Sequence, residues 1–129
     1  MFKPCLALGA EESLLNQSSN NLPNFNMGKI VYYDLETTGL KPLQGNRGVQ
    51  IISIGAVTDR GQWFQNFINP TCAISSGASR INGLYHDSYG DLVDSDGDDI
   101  EDVQTPYEGL GKFLDWLQNV GCRYLVSHR

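Results

Sequence analysis

Apolar stretches alternate along the chain with segments rich in glycine, proline and polar residues, and this alternation predicts four strands. They are expected at 29–36, 49–58, 62–68 and 123–128. The second and third strands are separated by Asp59-Arg60-Gly61, a short connection in which glycine can adopt a positive φ. These two strands should therefore form an antiparallel hairpin.

Two helices are predicted between the strands. One spans 75–82 and ends at Gly83. The other begins at Thr105-Pro106-Tyr107-Glu108, a capping box with proline at the first helical position, and ends at Gly121. Helical spacing predicts that its core-facing stripe contains Leu110, Phe113, Leu114 and Leu117, widened by Trp116 and Val120. Because this helix crosses over the sheet, we expect the fourth strand to lie parallel to the first.

Three antiparallel strands, a helix and a parallel strand predict an α/β protein. The sheet is therefore expected to be mixed, with one parallel pairing. The asparagine- and serine-rich leader at 1–26 is expected to be disordered, which leaves 27–129 for a single domain.

An acidic segment interrupts the predicted elements. It holds eight of the fifteen acidic residues between positions 87 and 102, and we interpret 87–104 as a solvated loop insertion. Asp94, Asp96 and Asp98 alternate as in calcium-binding loops, but Gly97 and Thr105 do not match that pattern, so we expect no calcium site.

Charge and cysteine content restrict the function further. A formal net charge of -6 argues against a broad nucleic-acid-binding face, although bound cations can supply positive charge locally. The three widely spaced cysteines indicate neither a zinc knuckle nor a disulfide framework. That cysteine pattern indicates a reducing intracellular compartment, the nucleus or the cytoplasm. Since no apolar run reaches transmembrane length, we expect no membrane association.

The most informative segment is 31–40, which reads Val-Tyr-Tyr-Asp-Leu-Glu-Thr-Thr-Gly-Leu. Asp34 and Glu36 are two positions apart in the first predicted strand, so their side chains should point to the same face. A surface strand with two outward acids is the simpler interpretation of such a pair. The apolar sequence before it predicts a central strand instead, where two carboxylates are costly without a cation or another partner.

This segment resembles the first motif of the DEDD superfamily of 3′-to-5′ exonucleases, Asp-x-Glu-Thr-Thr-Gly-Leu at the end of the first strand. Positions 50–57 resemble the second strand of that family, and 124–128 resemble the beginning of its second motif. Ile81-Asn82-Gly83-Leu84 is similar to the three-prime repair exonucleases and to the related exonuclease-like domain of some animal nuclear-body proteins. The resemblance runs from about Lys29 to the C-terminus. It implies that the predicted α/β fold is the beginning of a ribonuclease H-like mixed sheet, truncated after the fourth strand.

The resemblance implies a metal-dependent exonuclease that hydrolyses phosphodiester bonds at the 3′ ends of single-stranded nucleic acid. Asp34 and Glu36 would be catalytic residues and ligands of two Mg²⁺ or Mn²⁺ ions. The family residues that cradle the terminal nucleotide correspond to Thr37, Thr38 and Gly39, and those that contact its base correspond to Leu40 and Ile81. From the residues alone, ordinary core packing is the alternative for Leu40 and Ile81.

The sequence departs from the family at its end. Arg129 follows His128 where asparagine is usual, and the second-motif aspartate and the third-motif histidine and aspartate have no counterpart. We therefore expect that this sequence forms the N-terminal half of a nuclease domain. This chain alone should be inactive, and it should be able to self-associate through an uncovered fourth strand. Whether the chain is an enzyme stays open. The alternatives are a non-catalytic exonuclease-like interaction module and another hydrolase that uses the same carboxylates, and the choice between DNA and RNA is also open.

Overall fold

The structure is a computed structural model that describes residues 29–43 and 48–127. The predicted leader, positions 44–47 of the loop after the first motif, and His128 with Arg129 lie outside the described residues.

Strands and helices follow one another in nearly the predicted order. The elements are β1 (Lys29–Thr37), β2 (Ile51–Thr58), β3 (Trp63–Ile68), α1 (Ser76–Asn82), β4 (Tyr85–His86), β5 (Leu92–Val93), β6 (Val103–Gln104), α2 (Pro106–Val120) and β7 (Cys122–Ser127). Neither α1 nor α2, the helices of the described part of the chain, combines the length and apolar character needed to cross a membrane.

In the described part of the chain, the main sheet has five strands in the order β6-β3-β2-β1-β7. The β2–β3 connection is the predicted tight turn, closed by a hydrogen bond of 2.7 Å from the Thr58 N–H to the Gln62 carbonyl. β7 pairs with β1 in parallel, with Val31 opposite Leu125, as the crossover of α2 predicts. The predicted mixed α/β sheet of the ribonuclease H-like type is confirmed.

The chain divides into two compact units. The described part of the first consists of 29–34, 54–65 and 111–127. Its core contains an aromatic cluster in which the Phe64 ring lies 5.4 Å from both the Phe113 and the Trp116 ring. On β7, Tyr124, Leu125 and Val126 are exposed.

The second unit consists of 35–53 and 66–110. Its core is built on three buried side chains, Ile52, Leu84 and Leu92. Four partly buried side chains pack against them: Phe67, Ile74, Ile100 and Val103. The strand end of β1, the helix α1 and the acidic segment all belong to this unit.

The predicted core stripe of α2 is partly wrong. Phe113 and Val120 are buried, but Leu110 is 41% and Leu114 is 64% exposed. The reason is Gly109, where an added Cβ would overlap the Ile68 side chain. This close approach sets the rotation of the helix, so that positions 109, 113, 116 and 120 form the inner face.

The acidic segment is also more structured than predicted. Leu92 and Val93 form β5, pair antiparallel with β4 and are 3% and 4% exposed. The prediction of a solvated loop was wrong for these residues, because an average over sixteen positions conceals two apolar neighbours between acidic turns. Around them the carboxylates remain at the surface, with Asp91, Asp96, Asp98 and Asp99 exposed.

The two acidic turns are copies of each other. Positions 87–93 read Asp-Ser-Tyr-Gly-Asp-Leu-Val, and 94–100 read Asp-Ser-Asp-Gly-Asp-Asp-Ile. Asp87 Oδ1 accepts hydrogen bonds of 2.9 Å from the backbone N–H groups two and four residues later, and Asp94 Oδ1 does the same. Gly90 and Gly97 both have a φ near the left-handed region, at 84° and 82°. Each turn therefore satisfies its own backbone with its first carboxylate.

Candidate metal and substrate site

The two motif carboxylates are on an interior strand. β1 lies between β2 and β7 in the sheet, as the apolar sequence before the motif predicts. Asp34 and Glu36 are both half-buried, and the alternation of a strand directs them to one face. This placement gives them a fixed backbone and a partly dehydrated environment, which are features of a metal site.

The turn after β1 is held by backbone and side-chain hydrogen bonds. The Thr38 N–H donates to the Gln50 carbonyl at 2.9 Å, and the Gln50 N–H donates to the Thr38 hydroxyl at 3.0 Å. The Thr38 carbonyl accepts from the Ser75 N–H at 2.8 Å. The Thr37 hydroxyl donates to the Gly39 carbonyl at 3.1 Å. Thr38, only 3% exposed, thus uses its polar groups to hold the turn.

A cleft of about 610 Å³ opens beside this turn. We call it the β1–α1 cleft. Four of the predicted substrate-binding residues line it, namely Thr37, Gly39, Leu40 and Ile81, together with Glu36. Thr38 is not among its lining residues. The remaining lining residues are Leu35, Lys41, Pro42, Leu43, Ser75, Gly77, Ala78 and Asn82.

Leu40 and Ile81 do not pack in the core. Leu40 is 100% exposed and Ile81 is 87% exposed, although both are large apolar residues on the same cleft. Leaving one such side chain in water forgoes about 1.5–3 kcal/mol of burial. Exposure of two of them beside one cleft is the pattern of a ligand-contact surface, and it argues against the core-packing alternative.

Helix α1 begins and ends with defined caps that fix the position of Ile81. Ser75 is the N-cap, and its hydroxyl accepts from the Ala78 N–H at 3.1 Å. Gly83 ends the helix in the left-handed conformation at φ 74°. The Asn82 side-chain carbonyl accepts from the Leu84 N–H at 2.9 Å.

Three residues of this region, Gln50, Thr71 and Ser75, were not selected by the sequence analysis. For Ser75 there is a recognisable N-cap signal, because it is a hydroxyl residue at the start of a short segment that ends at Gly83, eight positions later. Gln50 and Thr71 are 21 positions apart and no site role is predicted for either from the sequence, so only the structure brings them together.

The donor set fits a hard divalent cation in part. Carboxylate oxygens suit Mg²⁺ and Mn²⁺, and Mg²⁺ retains several waters, so Asp34 and Glu36 can supply part of a coordination sphere. Among residues 29–43 and 48–127, a group of three potential metal-ligating side chains converges elsewhere, in the acidic segment. It consists of Asp94, Asp96 and Asp98, whose ligand atoms lie within 4.8 Å of one another. Asp94 already accepts two backbone N–H groups there.

The chain is similar in sequence to a bacterial DNA polymerase. No family model matches the chain. Over 105 residues it is 31% identical to a DNA polymerase III of the PolC type from Caldanaerobacter subterraneus subsp. tengcongensis, which covers 78% of this chain. The chain spans only 6% of the length of that polymerase. The similarity supports a nuclease-like family in general and does not select a subfamily.

Proposed function

We propose that this chain forms part of a metal-dependent 3′-to-5′ exonuclease that hydrolyses phosphodiester bonds at the ends of single-stranded nucleic acid. The observation that carries the proposal is the β1–α1 cleft, where Glu36 lies beside two exposed apolar side chains, Leu40 and Ile81. The similarity to a DNA polymerase supports a nucleic-acid substrate. Within the family, the Ile81-Asn82-Gly83-Leu84 segment favours the three-prime repair exonucleases and the related exonuclease-like domain of some animal nuclear-body proteins.

Asp34 and Glu36 would hold Mg²⁺ or Mn²⁺ through their carboxylate oxygens. A bound divalent cation lowers the pKa of a water ligand and stabilises negative charge on the oxygens of the phosphate. The role of the protein is to keep both carboxylates on one face of an interior strand, so that no reorganisation is needed when the phosphate arrives.

The terminal nucleotide would enter the cleft with its sugar near Thr37 and Gly39. Its base would lie between Leu40 and Ile81, which offer apolar contact without hydrogen-bond selection. Such contact accepts any base, as a sequence-independent exonuclease requires. Thr38 would support the turn rather than contact the nucleotide, because its hydroxyl and backbone are already hydrogen-bonded to Gln50 and Ser75.

The negative charge of the chain limits how strongly phosphate contacts can contribute to nucleic-acid binding. The chain has a formal net charge of -6, and Lys41 is the cationic residue among the described residues that line the cleft. Few phosphates can therefore be neutralised by side chains. We expect a binding constant that depends weakly on salt, with a logarithmic slope of about -1 rather than the steep slope of a broad basic surface.

The experiment is a digestion of single-stranded DNA and RNA oligonucleotides labelled at the 5′ end, using the protein that carries this sequence. We expect a ladder that shortens from the 3′ end in Mg²⁺ or Mn²⁺ and disappears in a chelator. The same oligonucleotide with a blocked 3′ end is the control.

Binding of the oligonucleotide without any shortening would favour the alternative, a non-catalytic exonuclease-like module. Absence of both binding and cleavage would contradict the proposal. Release of phosphate from small phosphomonoesters, with no action on oligonucleotides, would favour another hydrolase use of the carboxylates.

A further inference from the structure

We propose that Gln50 is a positioning residue of the β1–α1 cleft. It would clamp the turn after β1 to the segment that leads into α1, and so set the separation of Leu40 and Ile81. The inference rests on the proposed function, because the separation matters for a base held between those two side chains.

The backbone of Gln50 holds one side of the clamp. Its carbonyl accepts the Thr38 N–H at 2.9 Å, and its N–H donates to the Thr38 hydroxyl at 3.0 Å. Thr38 is buried and directly precedes Gly39 and Leu40 in the cleft wall. A displacement of Gln50 is therefore transmitted to the turn that carries Leu40.

The side chain of Gln50 holds the other side. Its Nε2 donates to the Thr71 hydroxyl at 2.7 Å, and its Oε1 accepts the Thr71 backbone N–H at 2.7 Å. A backbone N–H can only donate, so the orientation of the amide is determined by this pair. Two short bonds from one rigid amide fix both the distance and the direction of the Thr71 segment.

Ser75 connects the turn after β1 to the start of α1. Its N–H donates to the Thr38 carbonyl at 2.8 Å, and its hydroxyl caps α1 through the Ala78 N–H. An added Cβ at Gly39 would lie 3.1 Å from the Ser75 hydroxyl, so the turn and the start of α1 are in near contact. The segment from Thr71 to Ser75 is thus tied to the turn at both ends, and α1 carries Ile81 from there.

Gln50 itself does not line the cleft. It would touch neither base nor metal, so its effect must pass through Thr38 and Thr71. This predicts a change in substrate affinity without a comparable change in the rate of the bound complex. A residue that merely stabilised the fold would lower the melting temperature instead.

The test compares Gln50→Ala, Gln50→Glu and Thr71→Val with Gln118→Ala, a control at an exposed glutamine on α2. In Gln50→Ala we expect KM for a single-stranded oligonucleotide to rise about tenfold, since two hydrogen bonds are lost, with kcat within about twofold. Gln50→Glu keeps an acceptor for the Thr71 N–H and can accept from the Thr71 hydroxyl, so it should restore KM to within about twofold of the wild type.

A double-mutant cycle tests the partner. Gln50→Ala and Thr71→Val together should raise KM no more than Gln50→Ala alone, because the bond to the hydroxyl is already lost. Additive effects would overturn the clamp. So would a parallel fall of kcat and melting temperature, or a Gln50→Glu variant as impaired as Gln50→Ala.

A second readout separates this inference from the proposed function. Hydrogen exchange at the Thr38 and Ser75 amides should become at least about tenfold faster in Gln50→Ala and stay unchanged in Gln118→Ala. If the wild type binds no oligonucleotide, the proposed function fails, and the exchange rates still decide whether Gln50 clamps the turn. Unchanged exchange in Gln50→Ala would contradict the clamp even in an active nuclease.

Discussion

Carboxylates are used in opposite ways at the end of β1 and in the acidic turns at 87–100. In the turns, Asp87 and Asp94 each use one carboxylate oxygen to accept hydrogen bonds from two backbone N–H groups of their own loop. At β1, the turn is held instead by Gln50 and Ser75, which bond to Thr38. The turn after β1 is thus held in part by a threonine, a glutamine and a serine rather than by an aspartate of its own loop.

The difference indicates that a high density of acids does not by itself identify a functional site. The acidic turns have more carboxylates, and three of them converge, yet the first aspartate of each turn has a structural task. β1 has two carboxylates on an interior strand beside a cleft with exposed apolar side chains.

The largest expected difference between the two regions is in nuclease activity after one carboxylate in each region is neutralised. Asp34→Asn should reduce the proposed nuclease activity at least ~100-fold, by analogy with the loss of one charge-stabilising group in other active sites. Asp94→Asn keeps a side-chain oxygen for the turn and should leave activity unchanged. Mn²⁺ titration by calorimetry should show weaker binding in the first variant alone. Equal effects of the two substitutions on activity would remove the distinction between the regions.

The second prediction concerns the apolar residues between the acidic turns. Leu92→Ala should destabilise the protein by about 2–3 kcal/mol, because a buried core side chain leaves a cavity that the hairpin fills only in part. Chemical denaturation measures the change, with Leu114→Ala on the exposed face of α2 as the control. A Leu92→Ala variant as stable as that control would mean that the segment is a solvated loop after all.

The third prediction tests the structural use of the first aspartate in a turn. Asp94→Ala removes the acceptor for two backbone N–H groups and should cost about 1.5 kcal/mol. Asp96→Ala at the exposed neighbouring position should cost about 0.5 kcal/mol or less. Thermal unfolding of the two variants gives the comparison. The assignment requires that Asp94→Ala be clearly the less stable of the two.

The smallest expected effect is at Thr105, the residue before α2, where a hydroxyl rather than a carboxylate accepts the backbone N–H. Its hydroxyl accepts the Glu108 N–H at 3.2 Å and donates to the Glu108 carboxylate at 2.9 Å, so the acid contacts the cap side chain. Thr105→Ala should cost about 1 kcal/mol, while Thr105→Ser should be nearly neutral. An unchanged melting temperature in the alanine variant would show that this cap does not limit helix stability.

The strands of the main sheet were predictable from sequence because apolar runs and a Gly-containing turn determine them locally. The parallel β7 followed from the helix before it. The rotation of α2 was not predictable, since it depends on the contact of Gly109 with Ile68, forty-one positions away in the chain. β5 was missed because two apolar residues are too few for periodicity to register.

The candidate site divides in the same way. Asp34, Glu36 and the turn residues were identified from one continuous segment, which is where local sequence is most informative. Their partners Gln50, Thr71 and Ser75 were not, because a glutamine or threonine that bonds across a loop has no distinctive neighbours. The Asp87 and Asp94 repeat was present in the sequence and detectable as a seven-residue period.

The exposure of Leu40 and Ile81 has a thermodynamic consequence. Water against these two side chains in the cleft is ordered without hydrogen bonds from them, and any apolar group that displaces it releases that water. Binding of such a group should therefore have a negative heat-capacity change. The affinity of the cleft for such a group would then weaken in the cold, because the enthalpy of binding becomes unfavourable at low temperature, even though no contact between the protein and its ligand had altered.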